Sequence, residues 1–237
     1  MRNTFYIAWR ETRAYFLTPT AYIVGAMFLV LTGIFFVFQV TSTRPEASVR
    51  SIIEWATFFM VFFAPLITMR LLAEEQKLGT LELLLTSPVS DWQVALGKYL
   101  ASIIILYVTV SLTLYYVLLL YIFGSPDIGP VLTGYLGLLL YSAACGAIGL
   151  AASSLTSNQL IAAVVGVAVL LTLSFADSVG YTLSGVIKTI LMWVCMDAHL
   201  NDFTKGVFDF SHIIYYFSVI GIFLFFTIMS LQSRRWR

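Results

Sequence analysis

Charge is what this 237-residue chain lacks: Asp, Glu, Lys and Arg make up 11% of it, against about 25% in an ordinary soluble domain. Hydrophobic residues reach 60%, too much apolar surface for one water-facing domain to hide and far too much for a disordered chain. A net charge of +1 leaves no field that would recruit nucleic acid. Cysteine is nearly absent, and Cys145 and Cys195 stand in unrelated apolar contexts, so neither a disulfide framework nor a metal site is indicated. Enzyme signatures are missing as well. There is no G-x-S-x-G and no H-E-x-x-H, and Gly97-Lys98 runs into Tyr99 without the earlier glycine of a phosphate loop. The chain is therefore expected to hydrolyse no ATP itself, to hold no cofactor and to be an integral membrane protein.

Charge-free runs locate the membrane spans, each of which needs about 20 mostly apolar residues. They cover 14–43, 55–69, 99–126, 128–176 and 210–233. The fourth is too long for one helix and divides at the polar cluster 153–158. Six spans are expected, near 20–40, 52–72, 99–121, 131–152, 159–176 and 211–232, within one all-α transmembrane domain covering 1–237. An even number puts both termini on one side. Nine Lys and Arg residues fall on that side and four on the other, which makes the termini cytoplasmic. The tryptophans 9, 55, 92, 193 and 236 sit near helix ends, as an aromatic belt requires.

Residues 1–18 do not read as a cleavable leader, because the apolar run is too long and no small-residue site follows. Phe5, Trp9 and Phe16 share about one face while Arg10, Glu11 and Arg13 lie elsewhere, the pattern of an interfacial helix. Thr18-Pro19 then opens the first span.

No expected span carries an ionisable side chain near its middle, so a proton-coupled carrier lacks its site. Small residues at four-residue spacing (Ala143, Ala147 and Ala151; Gly149 with Ser153; Ala162 with Gly166) allow close helix approach, within one subunit or between two.

Two connections are more than membrane filler. Between spans two and three the sequence reads E-E-Q-K-L-G-T-L-E-L-L-L-T-S-P-V-S-D from Glu74 to Asp91. Gly79 can supply an unusual turn, Thr80 can cap a helix, Leu81–Leu85 form a short apolar helix and Pro88 ends it. Ser90 with Gln93 makes a capping box for the next helix. Leucines at the end of a span need cover, from headgroups or from another protein. This run resembles the signature of ABC-2 type permeases, the membrane subunits of a class of ABC transporters. The resemblance implies that Gly79, Thr80, Leu81, Glu82, Leu83 and Leu84, flanked by Glu74 and Glu75, form a coupling helix that docks a separate ATPase subunit. ATP and magnesium would bind on that partner. It further implies an inner-membrane exporter with a second copy or a paralogue, lipids, and room for an accessory extracytoplasmic protein.

The second connection, 177–211, is expected outside. Val186, Ile187, Ile190, Leu191, Val194 and Ala198 line one apolar face, followed by His199-Leu200-Asn201-Asp202-Phe203-Thr204-Lys205-Gly206. With the terminal Arg-Arg-Trp, the H-x-x-D-F stretch resembles the gliding-motility branch of that family. In related permeases short helices here re-enter the membrane and close the exit, which implies gate roles for Trp193, His199, Asp202, Phe203, Lys205 and Gly206. The bland alternative is a passive loop on the outer leaflet. For the whole chain, the alternatives are a stand-alone carrier or channel, and a structural anchor for a larger complex. The substrate is not legible.

Overall fold

Proline at position 19 separates the first two helices, α1 (Arg2–Leu17) and α2 (Pro19–Val40), because it supplies no N–H where a continuous helix would need one. Thr18 occupies the cap position of α2, yet its hydroxyl donates to the Tyr15 carbonyl at 2.8 Å and so completes the end of α1 instead. The computed structural model describes residues 2–41, 48–80, 89–124, 126–180 and 185–235. All elements among them are helical: α3 (Arg50–Leu78), α4 (Asp91–Leu112), α5 (Leu114–Phe123), α6 (Ile128–Leu155), α7 (Gln159–Ser174), α8 (Ala176–Gly180), α9 (Val186–Val194), α10 (Met196–Thr204) and α11 (Phe210–Arg235).

Five units are long and apolar enough to cross a membrane: α2, α3, α4 with α5, α6 and α11. The span expected at 159–176 corresponds to α7, which has 16 residues. At 1.5 Å per residue it measures about 24 Å, short of a hydrocarbon core of about 30 Å. Elsewhere the helices outrun the expected spans. α3 continues to Leu78 because its charged end is internally paired, Arg70 with Glu74 at 2.5 Å, one turn apart. The third expected span bends at Thr113, whose hydroxyl returns to the Val110 carbonyl at 2.6 Å and meets the Tyr135 hydroxyl at 3.0 Å.

α6 is the central helix, packed by α3, α4, α7, α10 and α11. Its small residues explain why. Ala143 and Ala147 are buried, and a methyl group added at Gly149 would lie 2.1 Å from the Thr68 hydroxyl of α3. Gly166 of α7 faces Pro65 of α3 in the same way. The small-residue stripes therefore serve contacts within one chain. α2, by contrast, turns a long row of large apolar side chains outward, including Tyr22, Met27, Ile34 and Phe38.

Candidate functional site

The two ends of this bundle carry the residues that the sequence singles out, and they are built from different chemistry. At the first end, α3 stops at Gly79, which takes a left-handed conformation (φ +71°) that other residues rarely adopt. Thr80 follows, its hydroxyl donating to the Glu75 carbonyl at 3.4 Å. Leu81, Glu82, Leu83 and Leu84 lie outside the described residues, so the short apolar helix expected there does as well. The chain is described again from Val89, where the Ser90 N–H donates to the Gln93 side-chain oxygen at 3.3 Å, the return half of the expected capping box.

Glu75 turns into the protein, while Glu74, a third exposed, pairs with Arg70 one turn back on α3. Glu75 meets Lys98 of α4 at 2.8 Å, and Lys98 also donates to the Leu71 carbonyl at 2.7 Å and to Glu11 of α1 at 3.4 Å. All three ammonium protons are thus used by a side chain with no solvent exposure. Arg10 adds a 2.8 Å pair with Glu11 and a 3.7 Å contact with Glu75, so two cations balance two carboxylates. Burial alone would raise the Glu11 carboxyl, but Lys98 and Arg10 together hold it below the usual carboxylate range. Beside this cluster Arg70 pairs with Glu74 and lies over the Tyr15 ring, 5.7 Å from its centre, while the Tyr15 hydroxyl donates to the Ile67 carbonyl. α1 is consequently a two-faced helix. Ile7, Ala8, Thr12 and Tyr15 are buried, whereas Phe5 and Trp9 are exposed.

One further link joins α3 to α6 at this end. The Ser153 hydroxyl donates to the Met69 carbonyl at 2.8 Å and accepts from the Leu72 and Ala73 amides at 3.1 and 3.0 Å. Gln76 donates to the Ser154 carbonyl at 2.9 Å, and Ser230 of α11 donates to that same oxygen at 3.0 Å.

At the other end, the stretch expected as one continuous apolar face, 186–198, is two helices. Cys195 is extended (φ −67°, ψ 119°), with its thiol on the Ser174 carbonyl at 3.1 Å and its own carbonyl 2.9 Å from His199 Nδ1. These tertiary bonds compensate a break for which no Pro or Gly prepares. α10 then climbs antiparallel along α6. Tyr216 donates to the Met196 carbonyl at 2.9 Å, and Asp197 faces Tyr141 and Ser174. Further along, Phe203 packs on Gly137, and Thr133 donates to the Phe203 carbonyl at 2.7 Å. Tyr141 lies thirteen positions beyond Ile128, where α6 begins, or about 20 Å along the helix. α10, the inner arm of this α9–α10 hairpin, therefore reaches deep into the bundle, whereas α9 packs on α8 and leaves Val186, Ile190 and Trp193 exposed.

The expected gate residues divide. Phe203 is fully buried. His199 is buried too, stacked on Tyr215 at 3.8 Å between ring centres, and burial lowers its pKa. Asp202 meets His212 at 3.0 Å and Lys205 at 3.4 Å; the hydrogen bond from His212, assisted by Lys205, holds its carboxyl below the usual range. Gly206, at φ +88°, closes α10: its N–H bonds the Phe203 carbonyl and the Val207 N–H bonds the Asp202 carbonyl. Trp193 is 65% exposed and meets the His199 ring edge-to-face, 6.0 Å between centres.

The sequence reading missed Asp197. Its Oδ1 is buried without a hydrogen-bond partner, and no ion pair reaches it among the described residues. Burial pushes this carboxyl up to about 6; Asp177 adds to the rise, and the Tyr141 and Ser174 hydroxyls oppose it. The six expected spans do lack a midway ionisable group, but the hairpin delivers one from outside them. Its only trace in the sequence is a lone carboxylate inside an apolar run.

Comparison with known proteins adds the family. Residues 40–196, well over half of the chain, match the ABC-2 family transporter proteins. Two curated relatives, each described as "Probable multidrug ABC transporter permease YbhR" and found in Escherichia coli K12 and O157:H7, are 27% identical over 152 residues. The match covers 60% of this chain and 39% of each relative, so the chain spans well under half the length of those proteins.

Proposed function

This chain belongs to the ABC-2 family of transporter proteins and is a multi-pass membrane protein, and from that premise we propose that it is the permease subunit of an ATP-driven exporter. Two copies, or this chain with a paralogue, form the pathway, and each docks a separate ATPase that binds the ATP and magnesium. The membrane is the bacterial inner membrane. Both termini and residues 74–91 are cytoplasmic, and 44–50, 124–130 and 177–210 face out. The gliding-motility branch is supported by the H-x-x-D-F stretch and the Arg-Arg-Trp end. The relatives' description as multidrug permeases supports the transport reading and leaves this chain's substrate open.

One observation carries the reading. The segment that would dock the ATPase emerges from the end of α3, and that end is braced by the buried Lys98–Glu75–Glu11 cluster to α1 and α4. A displacement imposed on residues 80–88 is therefore passed to three helices at once instead of being absorbed by a slack linker. At the opposite end the α9–α10 hairpin, whose inner arm α10 packs beside α6, is the external gate, and opening it is the helix rearrangement that ATPase closure drives.

The docking reading is tested by Leu83→Asp and Leu84→Asp. Burying a leucine contributes roughly 1.5–3 kcal/mol, and a carboxylate in its place is far more costly, so each variant should insert normally but fail to co-purify with the ATPase or to transport. Glu82→Ala should retain docking with impaired coupling. Full ATPase recovery and normal transport in both leucine variants would overturn the assignment. Topology is checked by labelling intact cells with an impermeant thiol reagent after replacing Cys145 and Cys195: Ser48→Cys should react from outside and Ser87→Cys should not.

A further inference from the structure

We propose that Asp197 is a proton-binding site that holds the α9–α10 hairpin in its closed position when protonated and favours its release when ionised. The proposal rests on the reading of the hairpin as the external gate. Its geometric basis is threefold. The carboxyl sits at the deep tip of the hairpin, beside Tyr141 midway along α6. Its Oδ1 is buried with no hydrogen-bond partner. Among the described residues no cationic group acts on it: α6 presents Tyr141 and Cys145, α7 presents Ser174, α8 presents Asp177, and α11 presents Tyr215 and Tyr216.

A buried carboxylate without a cation is costly, and it relieves that cost either by taking up a proton or by moving to water. Here both routes are open. The proton comes from the external solution and joins a carboxylate oxygen, leaving a neutral acid that the apolar pocket tolerates. Without it, the ionised tip is stabilised by withdrawing from beside Tyr141 toward solvent, which unseats α10 from Gly137. The α10 N-terminus offers a partial positive field to the anion, so the balance is graded and does not exclude the charged form outright. The sign follows: acid outside closes the hairpin, and neutral or alkaline solution loosens it. His199, two residues on, also titrates, so the test must leave it in place.

Cys195 reports the tip directly, because its thiol is buried against Ser174 when the hairpin is seated. In a Cys145→Ala background, the assembled complex in intact cells is labelled with an impermeant thiol reagent, with and without Asp197→Asn. The ratio of the two labelling rates cancels the reagent's own pH dependence and any contribution from His199. It should rise about tenfold between about pH 5 and about pH 7.5, following the ionised fraction of a carboxyl titrating near 6. A ratio that stays flat across this range overturns the proposal. If Asp197→Asn fails to fold, Tyr141→Phe serves instead. Losing a hydroxyl that favours the anion must move the labelling midpoint to higher pH, and an unmoved midpoint overturns the proposal equally. Phe203→Ala separates this from the gate reading. A flat ratio with a leaky Phe203→Ala removes the proton site and keeps the gate, whereas a titrating ratio with a tight Phe203→Ala keeps the site and removes the gate.

Discussion

The bundle buries ionised groups at both ends, and it does so in opposite ways. At the α3 terminus Lys98 has no exposure, yet its three protons are met by Glu75, Glu11 and the Leu71 carbonyl. At the hairpin tip Asp197 has hydroxyls and aromatic rings for company; like Glu75 Oε2 at the first end its Oδ1 has no hydrogen-bond partner, but among the described residues no cation pairs with it. A balanced cluster resists displacement, because moving one member strands the others. An unbalanced carboxyl has a reason to move. On the proposed reading, the first end serves as a joint and the second as a latch.

The largest expected effect breaks the joint. Lys98→Ala leaves Glu11 and Glu75 facing each other and Arg10 at the rim, and removing one partner of a buried pair costs about 3–5 kcal/mol. Thermal unfolding of the purified protein should show it, and a loss under about 1 kcal/mol would end the contrast between the two ends. Next comes Phe203→Ala, which empties the space against Gly137 and should cost about 3 kcal/mol while raising basal ATPase activity or leak in the assembled complex. Trp193→Ala, at an exposed site on the same hairpin, should stay within about 0.5 kcal/mol and leave the seal intact. Wild-type tightness in both variants favours a passive loop. Gly206→Ala forces a side chain into the left-handed region and should cost about 1 kcal/mol, read as faster hydrogen exchange over 196–207.

The smallest effects are pH-dependent, and their signs differ between the ends. Glu11 has a depressed pKa, so its contribution is present above the ordinary glutamate range and is lost as pH falls through about 4 and below. Asp202 follows the same sign at the surface, where solvent screening keeps its pair with His212 under about 1 kcal/mol. Asp197 has a raised pKa, so its contribution is greatest in acid and is lost as pH rises through about 6. Hydrogen-exchange protection, corrected segment by segment for the intrinsic pH dependence of amide exchange, should therefore rise over 196–204 from about pH 7.5 to about pH 5 while that of α1 is unchanged, and α1 should lose protection only in stronger acid.

Five of the six expected spans were legible because an uninterrupted apolar run is a local property of the chain. Length was harder to read. The ends of α3 and α4 carry charges that look like the close of a helix, and only their pairing across 23 and 87 positions keeps those turns folded. Lys98 reads from sequence as one more flanking cation, since nothing near it announces Glu11. The Gly79 turn and the Gln93 back-bond were readable because both depend on neighbours within a few residues. The break at Cys195 was not, because its compensation comes from Ser174, twenty-one positions earlier. Of the expected gate residues, the grouping of Asp202 with Lys205 follows from adjacency, whereas the part of His212 in it depends on how α11 returns.

The Ser153 hydroxyl has a mechanical meaning. It stands between the Met69 carbonyl and the Ala73 amide, the two groups that an undisturbed helix would join to each other. α3 is therefore not a uniform rod. Above this point it is wedged against Gly149 and Gly166; below it, less than two turns lead to the left-handed Gly79. A bend here trades one hydrogen bond for another of nearly equal strength, so the rod carries its own pivot, with the axle supplied by a neighbouring helix.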